Sequence, residues 1–172
     1  LIGFSGSPWT LAAYMIEGSG SKEWKFTKQM MLDQPELMKE LLAKLAESIR
    51  LYLEAQLAAG ADAVQIFDTW GGVLAPDHYK KFSLEFMHKI VSKLHRNGQP
   101  VIVFSKGANH SLKEIADIGA DVVGIDWTID MADAKNQIGE KVALQGNLDP
   151  ASLYASPDVI RQEVKSILRK FG

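Results

Sequence analysis

The chain has 172 residues, the length of one domain, and its 47% hydrophobic and 23% charged residues form a globular balance that excludes disorder and collagen-like repeats. Lys and Arg number 19 against 21 Asp and Glu, so the net charge of -2 lacks the basic excess typical of nucleic-acid-binding proteins. Without cysteine, the chain cannot form disulfides, thiolate zinc sites, iron–sulfur clusters or a cysteine nucleophile.

Short apolar runs alternate with longer helical patterns, which is typical of βαβ units around a parallel sheet. Five runs predict strands, over Leu1–Phe4, Ala63–Phe67, Val101–Phe104, Val122–Ile125 and Val142–Gln145. Because they are mostly apolar rather than alternating, we expect strands covered on both faces, the first of them buried. No linker divides the runs and no apolar stretch reaches the roughly 18 residues that cross a bilayer. We expect one soluble, intracellular-type α/β domain over residues 1–172.

The patterns between these runs predict helices with clear boundaries. Pro35 and Gly60 enclose a helix with one apolar stripe, and a second helix is expected over His78–Arg96. Its buried side would carry Phe82, Phe86 and Ile90.

Two later helix starts are marked by capping residues. Ser111, with Glu114 three residues later, predicts a capping box. Ser156 followed by Pro157 predicts the start of the last helix. Four of its side chains are expected to face inward: Ile160, Val164, Ile167 and Phe171.

Leu1 begins an apolar strand pattern without an initiator methionine or polar leader, and Phe171 directly follows a helix pattern. We therefore expect both ends to be cut from a longer protein. The missing targeting sequence is weak evidence for the same reason.

Five strand–helix units fit either an open doubly wound sheet or a (β/α) barrel. The Gly3–Gly6 turn lacks G-x-G-x-x-G spacing and runs into Pro8, so it is no phosphate cradle. Polar residues follow nearly every strand, as in the active-site ring of a barrel: Ser5, Ser7, Asp68, Thr69, Ser105, Lys106, Asp126, Asn147 and Asp149. The sequence favours a (β/α)8 TIM barrel, of which this chain supplies about five units.

The residue types leave several candidates with two interpretations. Asp68-Thr69 and Asp126-Trp127 either fasten the loops after their strands or point into a barrel mouth. Tyr14, by pattern alone, is an amphipathic core tyrosine. Glu17–Ser21 is expected to be a mobile loop, either a cover or a plain connection. The four histidines are too scattered for a metal site, so we expect no metal.

Four spaced segments resemble the uroporphyrinogen decarboxylase family. Gly3–Gly18 is similar to a signature of that family, and the likeness continues in Gln65–Gly72, Gly124–Trp127 and Leu144–Pro150. The likeness covers essentially the whole chain in the right order.

The resemblance implies a cytoplasmic homodimer that converts the four acetate side chains of uroporphyrinogen to methyl groups, giving coproporphyrinogen and four CO2. A protonated pyrrole of the substrate would accept the electrons, so no cofactor is implied. Tyr14 matches a tyrosine that reaches a substrate carboxylate, Thr69 a hydroxyl that hydrogen-bonds one, and Phe67 an aromatic beside the macrocycle.

Other family segments are missing from this sequence. The arginines of the first barrel strand, the aspartate that binds the pyrrole N–H groups and a late histidine have no counterpart, so the chain corresponds to units three to seven. No catalytic residue is assigned within it, and Lys106 alone cannot replace an arginine fork. We expect the isolated chain to be inactive.

Two alternatives remain from the residues. The first is a corrinoid- or methionine-synthase-type methyltransferase of the same fold, although such enzymes commonly hold zinc through cysteine. The second is an inactive barrel fragment that associates through open edges at Leu1–Phe4 and Val142–Gln145.

Overall fold

In the computed structural model, which describes residues 1–171, five strands form a single parallel sheet in the order β1-β2-β3-β4-β5. The strands are β1 (Ile2–Gly6), β2 (Ala63–Asp68), β3 (Val101–Ser105), β4 (Val122–Gly124) and β5 (Ala143–Gln145). Each predicted strand is confirmed, with bounds that move by one or two residues. Phe67 lies opposite Gly6 on one side and Phe104 on the other, so the carboxyl ends of the first three strands align.

Eight α-helices lie within residues 1–171. They are α1 (Pro8–Glu17), α2 (Lys25–Asp33), α3 (Pro35–Ala58), α4 (Pro76–Tyr79), α5 (Glu85–Lys93), α6 (Leu112–Ala116), α7 (Met131–Ile138) and α8 (Pro157–Phe171). A π-helical turn over Lys80–Leu84 joins α4 to α5. Short 3-10 turns span Gly71–Val73, Asn109–Ser111 and Pro150–Tyr154.

The helices cover one face of the sheet and form the core with it. Alternate strand residues, such as Val64 and Val103, pack with Leu53 of α3 and Phe86 of α5 in one apolar cluster. Each such side chain contributes about 1.5–3 kcal/mol by leaving water. The intervening residues, including Phe67, therefore point to the opposite face, which is the inner face of the sheet.

The expectation that both faces are covered is wrong at the two edges. Leu1, Ile2 and Phe4 are 84%, 47% and 61% exposed, and Ala143 of β5 is exposed as well. Within the described residues β1 pairs only with β2, and its Ile2 and Phe4 side chains point to the same inner face as Phe67, where they stay exposed. The apolar pattern of β1 therefore does not correspond to burial within these residues.

The second predicted helix is longer at its start and shorter at its end. It begins at Pro76 because Ala75 is extended and proline suits a first helical turn, and it stops at Lys93 because Leu94 is extended. Phe82, Phe86 and Ile90 are buried, as predicted. The helix beginning at Pro35 is confirmed and ends at Ala58.

The capping box at Ser111 is wrong. The Ser111 side chain makes no capping hydrogen bond and its buried Oγ has no partner in the described residues. Glu114 instead pairs with Lys80 Nζ at 2.8 Å. Glu114 thus binds Lys80 of the π-helical turn instead of the backbone N–H of Ser111 that a capping box requires.

The last helix begins at Pro157, as predicted, but its inward stripe is only partly confirmed. Ile160, Ile167 and Phe171 are half-buried, whereas Val164 is 38% exposed. Within residues 1–171, no residue of α8 is fully buried. The helix packs mainly on α7 and the preceding 3-10 turn, which leaves part of its stripe uncovered.

Candidate active site

All five strands run in the same direction, so their carboxyl ends meet at one edge of the sheet, the carboxyl edge. The loops that leave this edge carry the polar residues predicted from the sequence. In sheets of this kind that edge is where ligands bind. The contacts of each candidate decide whether it fastens the loops or is available to a ligand.

Asp68 ends β2 and fastens the loops around it. Its fully buried carboxylate accepts hydrogen bonds on Oδ1 from the hydroxyls of Ser7 (2.6 Å) and Thr10 (3.4 Å). On Oδ2 it accepts from Ser83 (2.8 Å) and Ser105 (2.7 Å). Burial raises the pKa of Asp68, and the hydroxyl donors only partly counteract it. Of the two interpretations, the structural one applies.

Asp126 plays a matching part after β4. Its buried carboxylate accepts from the backbone N–H of Gly107 (2.5 Å), the amide of Asn109 (2.9 Å), and the backbone N–H (2.8 Å) and hydroxyl (2.6 Å) of Thr128. Burial alone would raise the pKa of Asp126, but these donors more than offset it and hold the pKa below its usual range. Asp126 thus joins the loop after β3 to the loop after β4.

Trp127 and Lys106 remain available at the carboxyl edge. Trp127 is 40% exposed, and the Lys106 ammonium lies 5.5 Å from the centroid of its ring. This distance is within the range of a cation–π contact. The contact places a positive charge directly after β3.

Tyr14 is not a core tyrosine, which corrects the pattern-based interpretation. It is 42% exposed, and its ring meets Trp24 and Trp70 edge-on, with centroids 5.5 and 6.2 Å apart. The two tryptophan rings lie 4.6 Å from each other. Tyr14 therefore rests on a tryptophan pair while part of it stays open to solvent.

Trp24 could not have been selected from the sequence, because it follows a Gly/Ser-rich stretch. Its backbone is left-handed at φ 55°, a conformation that costs a non-glycine residue about 1 kcal/mol, yet its ring is fully buried. The loop before it is fastened as well. Ser21 Oγ accepts from the N–H of Trp24 at 3.0 Å, and Glu17 accepts from the N–H and hydroxyl of Thr27 at 3.0 and 3.1 Å.

Phe67 and Thr69 flank Asp68 and are both half-buried. The Phe67 ring lies between Phe4 (5.8 Å) and Phe104 (5.9 Å), so three strands contribute an aromatic to the inner face. Thr69 lies directly before Trp70, whose ring contacts Tyr14. Phe67 and Thr69 thus lie at the carboxyl end of β2, and Tyr14, on α1, is linked to this end through the ring of Trp70.

The histidines do not assemble a metal site. In residues 1–171 no group of three or more His, Asp or Glu side chains is arranged to hold a metal ion. His88 Nδ1 lies 3.0 Å from the carbonyl of Ile118, and His95 Nδ1 lies 2.8 Å from Glu54. None of the helices in the described residues combines the length and the apolarity that crossing a membrane requires.

The family profile described as "Uroporphyrinogen decarboxylase (URO-D)" matches residues 1–172. The chain belongs to the uroporphyrinogen decarboxylase family. Proteins named uroporphyrinogen decarboxylase from Actinobacillus pleuropneumoniae serotype 5b and Hydrogenovibrio crunogenus are each 57% identical to it over its whole length. One from Psychromonas ingrahamii is 56% identical. The chain spans about half the length of these relatives, 50% in each case.

A solved structure, a methyltransferase from Methanosarcina mazei, superposes on 98% of the chain and 49% of its own with a TM-score of 0.86. At 23% sequence identity this similarity concerns the fold alone. This chain and the methyltransferase therefore share a fold, which by itself does not decide between two chemistries.

Proposed function

We propose that the complete gene product carrying this chain is a uroporphyrinogen decarboxylase that turns the four acetate side chains of uroporphyrinogen into methyl groups. The observation that carries the proposal is that Tyr14, 42% exposed on α1, lies against the ring of Trp70, the residue directly after Thr69 at the carboxyl end of β2. Family membership over the whole chain and the 57% identity to proteins of that name support it.

In each step the bond between the acetate CH2 and its carboxylate breaks, and CO2 leaves without the bonding electrons. The electron pair moves into a pyrrole ring that has been protonated on carbon, and a proton then adds to the CH2 to give CH3 as the ring proton is lost. The substrate itself is the electron sink, so the protein contributes binding, orientation and proton placement.

The chain's own residues suit the binding part of this chemistry. We assign Tyr14 and Thr69 as hydroxyl donors to substrate carboxylates, and Phe67 as a wall against the macrocycle. The neighbouring rings of Phe4 and Phe104 make that wall apolar, and an apolar surface favours conversion of a charged carboxylate to neutral CO2. No proton donor is assigned within the chain.

We propose further that residues 1–172 form one domain supplying units three to seven of an eight-unit barrel. One continuous apolar cluster from α1 to α7 supports the single domain, and the parallel sheet with sequential order supports the barrel. A cytoplasmic homodimer is the assembly we propose on the family resemblance. The isolated chain would be inactive, because the arginine, aspartate and histidine segments of the family have no counterpart in it.

The test is an anaerobic assay of the complete gene product with uroporphyrinogen, in which coproporphyrinogen is separated after oxidation. Tyr14→Phe removes one hydrogen bond to a charged group and is expected to lower kcat/KM about 10- to 100-fold. Tyr52→Phe, at an exposed tyrosine of α3, is the matched control and should behave as wild type. A complete gene product that forms no coproporphyrinogen would refute the proposal, and sustained turnover by the isolated chain would refute its inactivity.

The methyltransferase alternative makes a different prediction. A zinc-activated thiol acceptor would require metal in the purified protein, and the chain has no cysteine to hold it. Elemental analysis that finds one zinc per complete gene product, together with thiol methylation, would favour this alternative.

A further inference from the structure

We propose that Asp68 is a positioning residue that holds Tyr14 and Thr69 in register across the carboxyl edge. The inference rests on the proposed function, in which those two side chains bind substrate carboxylates. Asp68 itself is fully buried and takes no part in the chemistry. It acts through the segments that its carboxylate joins.

The four donors to Asp68 come from different parts of the chain. Ser7 lies between β1 and α1, Thr10 in the first turn of α1, Ser83 on the π-helical turn, and Ser105 at the end of β3. Within residues 1–171, no ion pair includes Asp68. Hydroxyls alone satisfy the carboxylate, so losing any of them leaves buried charge less well satisfied.

A second set of bonds carries this arrangement to Tyr14. The Thr10 hydroxyl that donates to Asp68 also accepts from the backbone N–H of Trp70 at 3.4 Å. The indole N–H of Trp9 donates to the carbonyl of Trp70 at 3.0 Å. Trp70 is thereby held against α1, and its ring lies against Tyr14. We call Asp68 and its four hydroxyl donors the Asp68 node. Because Thr69 is bonded covalently between Asp68 and Trp70, the positions of both the Tyr14 and the Thr69 hydroxyl depend on this node.

Gly71, which has no side chain, lies directly against this node. A Cβ on Gly71 would overlap Asp68 Oδ2, Ser105 Oγ and the ring of Tyr79. The turn after β2 can therefore fold directly over the carboxylate. The node is a close-packed unit rather than a loose polar pocket.

The substitution Asp68→Asn tests this role directly. The side chain keeps its size, but the amide nitrogen donates hydrogen bonds where a carboxylate oxygen accepted two of them. Two of the four hydroxyls must then reverse or lose their partner. Asp68→Asn should loosen the junction of β1, β2 and β3 without opening a cavity.

The control is Asp121→Asn, at a carboxylate that also joins two strands but is exposed. Asp121 lies just before β4, at the opposite end of the sheet, where it pairs with Arg96 and accepts from the N–H of Val101 at 2.7 Å. Both substitutions remove a carboxylate that joins strands. Only Asp68 lies at the carboxyl edge.

The experiment uses the complete gene product labelled with 5-fluorotryptophan, with the Trp70 fluorine resonance assigned by Trp70→Phe. Fluorine spectra and kcat/KM are measured at a temperature where circular dichroism shows every variant folded. Asp68→Asn is expected to shift the Trp70 resonance and to lower kcat/KM about 100-fold, the loss typical of a misplaced site. Asp121→Asn should leave both within about twofold of wild type, because its contacts are remote from the site.

An unshifted Trp70 resonance in Asp68→Asn, or a kcat/KM equal to that of Asp121→Asn, would overturn the inference. If Asp68→Asn does not fold, Ser83→Ala removes a single donor to Oδ2 and should shift the same resonance, with a loss of kcat/KM of about tenfold; wild-type values there would count equally against it. A wild-type protein without decarboxylase activity would refute the proposed function instead, and the fluorine shift would then decide the positioning role alone.

Discussion

The Ser7 hydroxyl donates to Asp68 Oδ1 across 2.6 Å and joins residues that are 61 positions apart in the chain. The Oγ atom of Ser7 also accepts from the N–H of Thr10 at 3.0 Å and so caps α1. One side chain therefore starts a helix and ties it to the neighbouring strand.

Ser7→Ala should consequently cost more than an ordinary cap. Loss of the cap removes about 1 kcal/mol, and loss of a hydrogen bond to a buried carboxylate removes about 1.5–3 kcal/mol. We expect the free energy of unfolding to fall by about 2–4 kcal/mol in urea titrations. Ser48→Ala, at an exposed serine of α3, should change it by less than about 0.5 kcal/mol. Equal effects from the two variants would contradict the dual role of Ser7.

Gly71→Ala is expected to destabilise the protein by overpacking. The added methyl group overlaps Asp68, Ser105 and Tyr79, so we expect a loss of about 1–3 kcal/mol in the free energy of unfolding. Gly20→Ala is the comparison, because a Cβ there meets nothing within 4 Å. Thermal unfolding of both variants measures the difference, and a Gly71→Ala protein as stable as Gly20→Ala would show that the turn after β2 relaxes freely.

The contacts of Glu54 predict that part of the free energy of unfolding is lost in acid. The N–H and ring of His95 and the guanidinium of Arg50 bind its carboxylate and, against burial, lower its pKa to about 2. Because the folded pKa lies below the unfolded value of about 4.3, this stabilisation is present above pH 5 and lost as the pH falls toward 2.

Glu54→Gln should therefore be less stable than wild type at pH 7, by about 1 kcal/mol for a partly exposed group. The gap in free energy of unfolding should close between pH 5 and pH 2. Glu40→Gln, at an exposed glutamate of the same helix, should give no such gap. A pH-independent gap would mean that shape, rather than charge, accounts for the effect.

Lys106 predicts a salt-dependent contribution to substrate binding. If a porphyrin rich in carboxylates lies across the carboxyl edge, Lys106→Gln should weaken binding of uroporphyrin about threefold at low salt, and less at high salt. Quenching of tryptophan fluorescence measures the Kd. Lys89→Gln is the control, since Lys89 pairs with Glu85 on α5. Identical Kd values for the two variants would show that Lys106 does not contribute to substrate binding.

Strand positions could be predicted because buried parallel strands leave long apolar runs, and Val64–Ile66 and Val101–Val103 are fully covered. The exposure of β1 could not be predicted. Ile2 and Phe4 are residue types found in covered strands, but whether they are covered depends on what packs against them, which the local sequence does not show. The capping box at Ser111 failed for a related reason. Glu114 forms an ion pair with Lys80, which lies far from it in the sequence.

The site was predicted unevenly. Tyr14, Phe67 and Thr69 were selected by family resemblance; Phe67 and Thr69 lie at the carboxyl end of β2, and Tyr14 of α1 contacts the neighbouring Trp70. Their role as substrate ligands stays a prediction. Asp68 was visible as a polar residue after a strand, but its four hydroxyl partners come from three other regions of the chain. Only Ser7 and Ser105 could have been suspected, since Ser7 directly follows β1 and Ser105 ends β3, whereas Ser83 depends on the π-helical turn.

The order of the strands in the sheet also bears on how the molecule is assembled. Every strand in the described residues pairs only with the strands before and after it in the chain, so each new strand joins the one made just before it. The first closure is nevertheless long, because Ile2 pairs with Ala63, and such non-local parallel pairing is slow. As the chain leaves the ribosome, β2 can dock on β1 once both α3 and β2 have emerged, and each later unit can add to the growing edge. The hydroxyl node at Asp68 is then completed only when β3 arrives, so the carboxyl edge of the first two strands becomes rigid one unit later than the strands themselves.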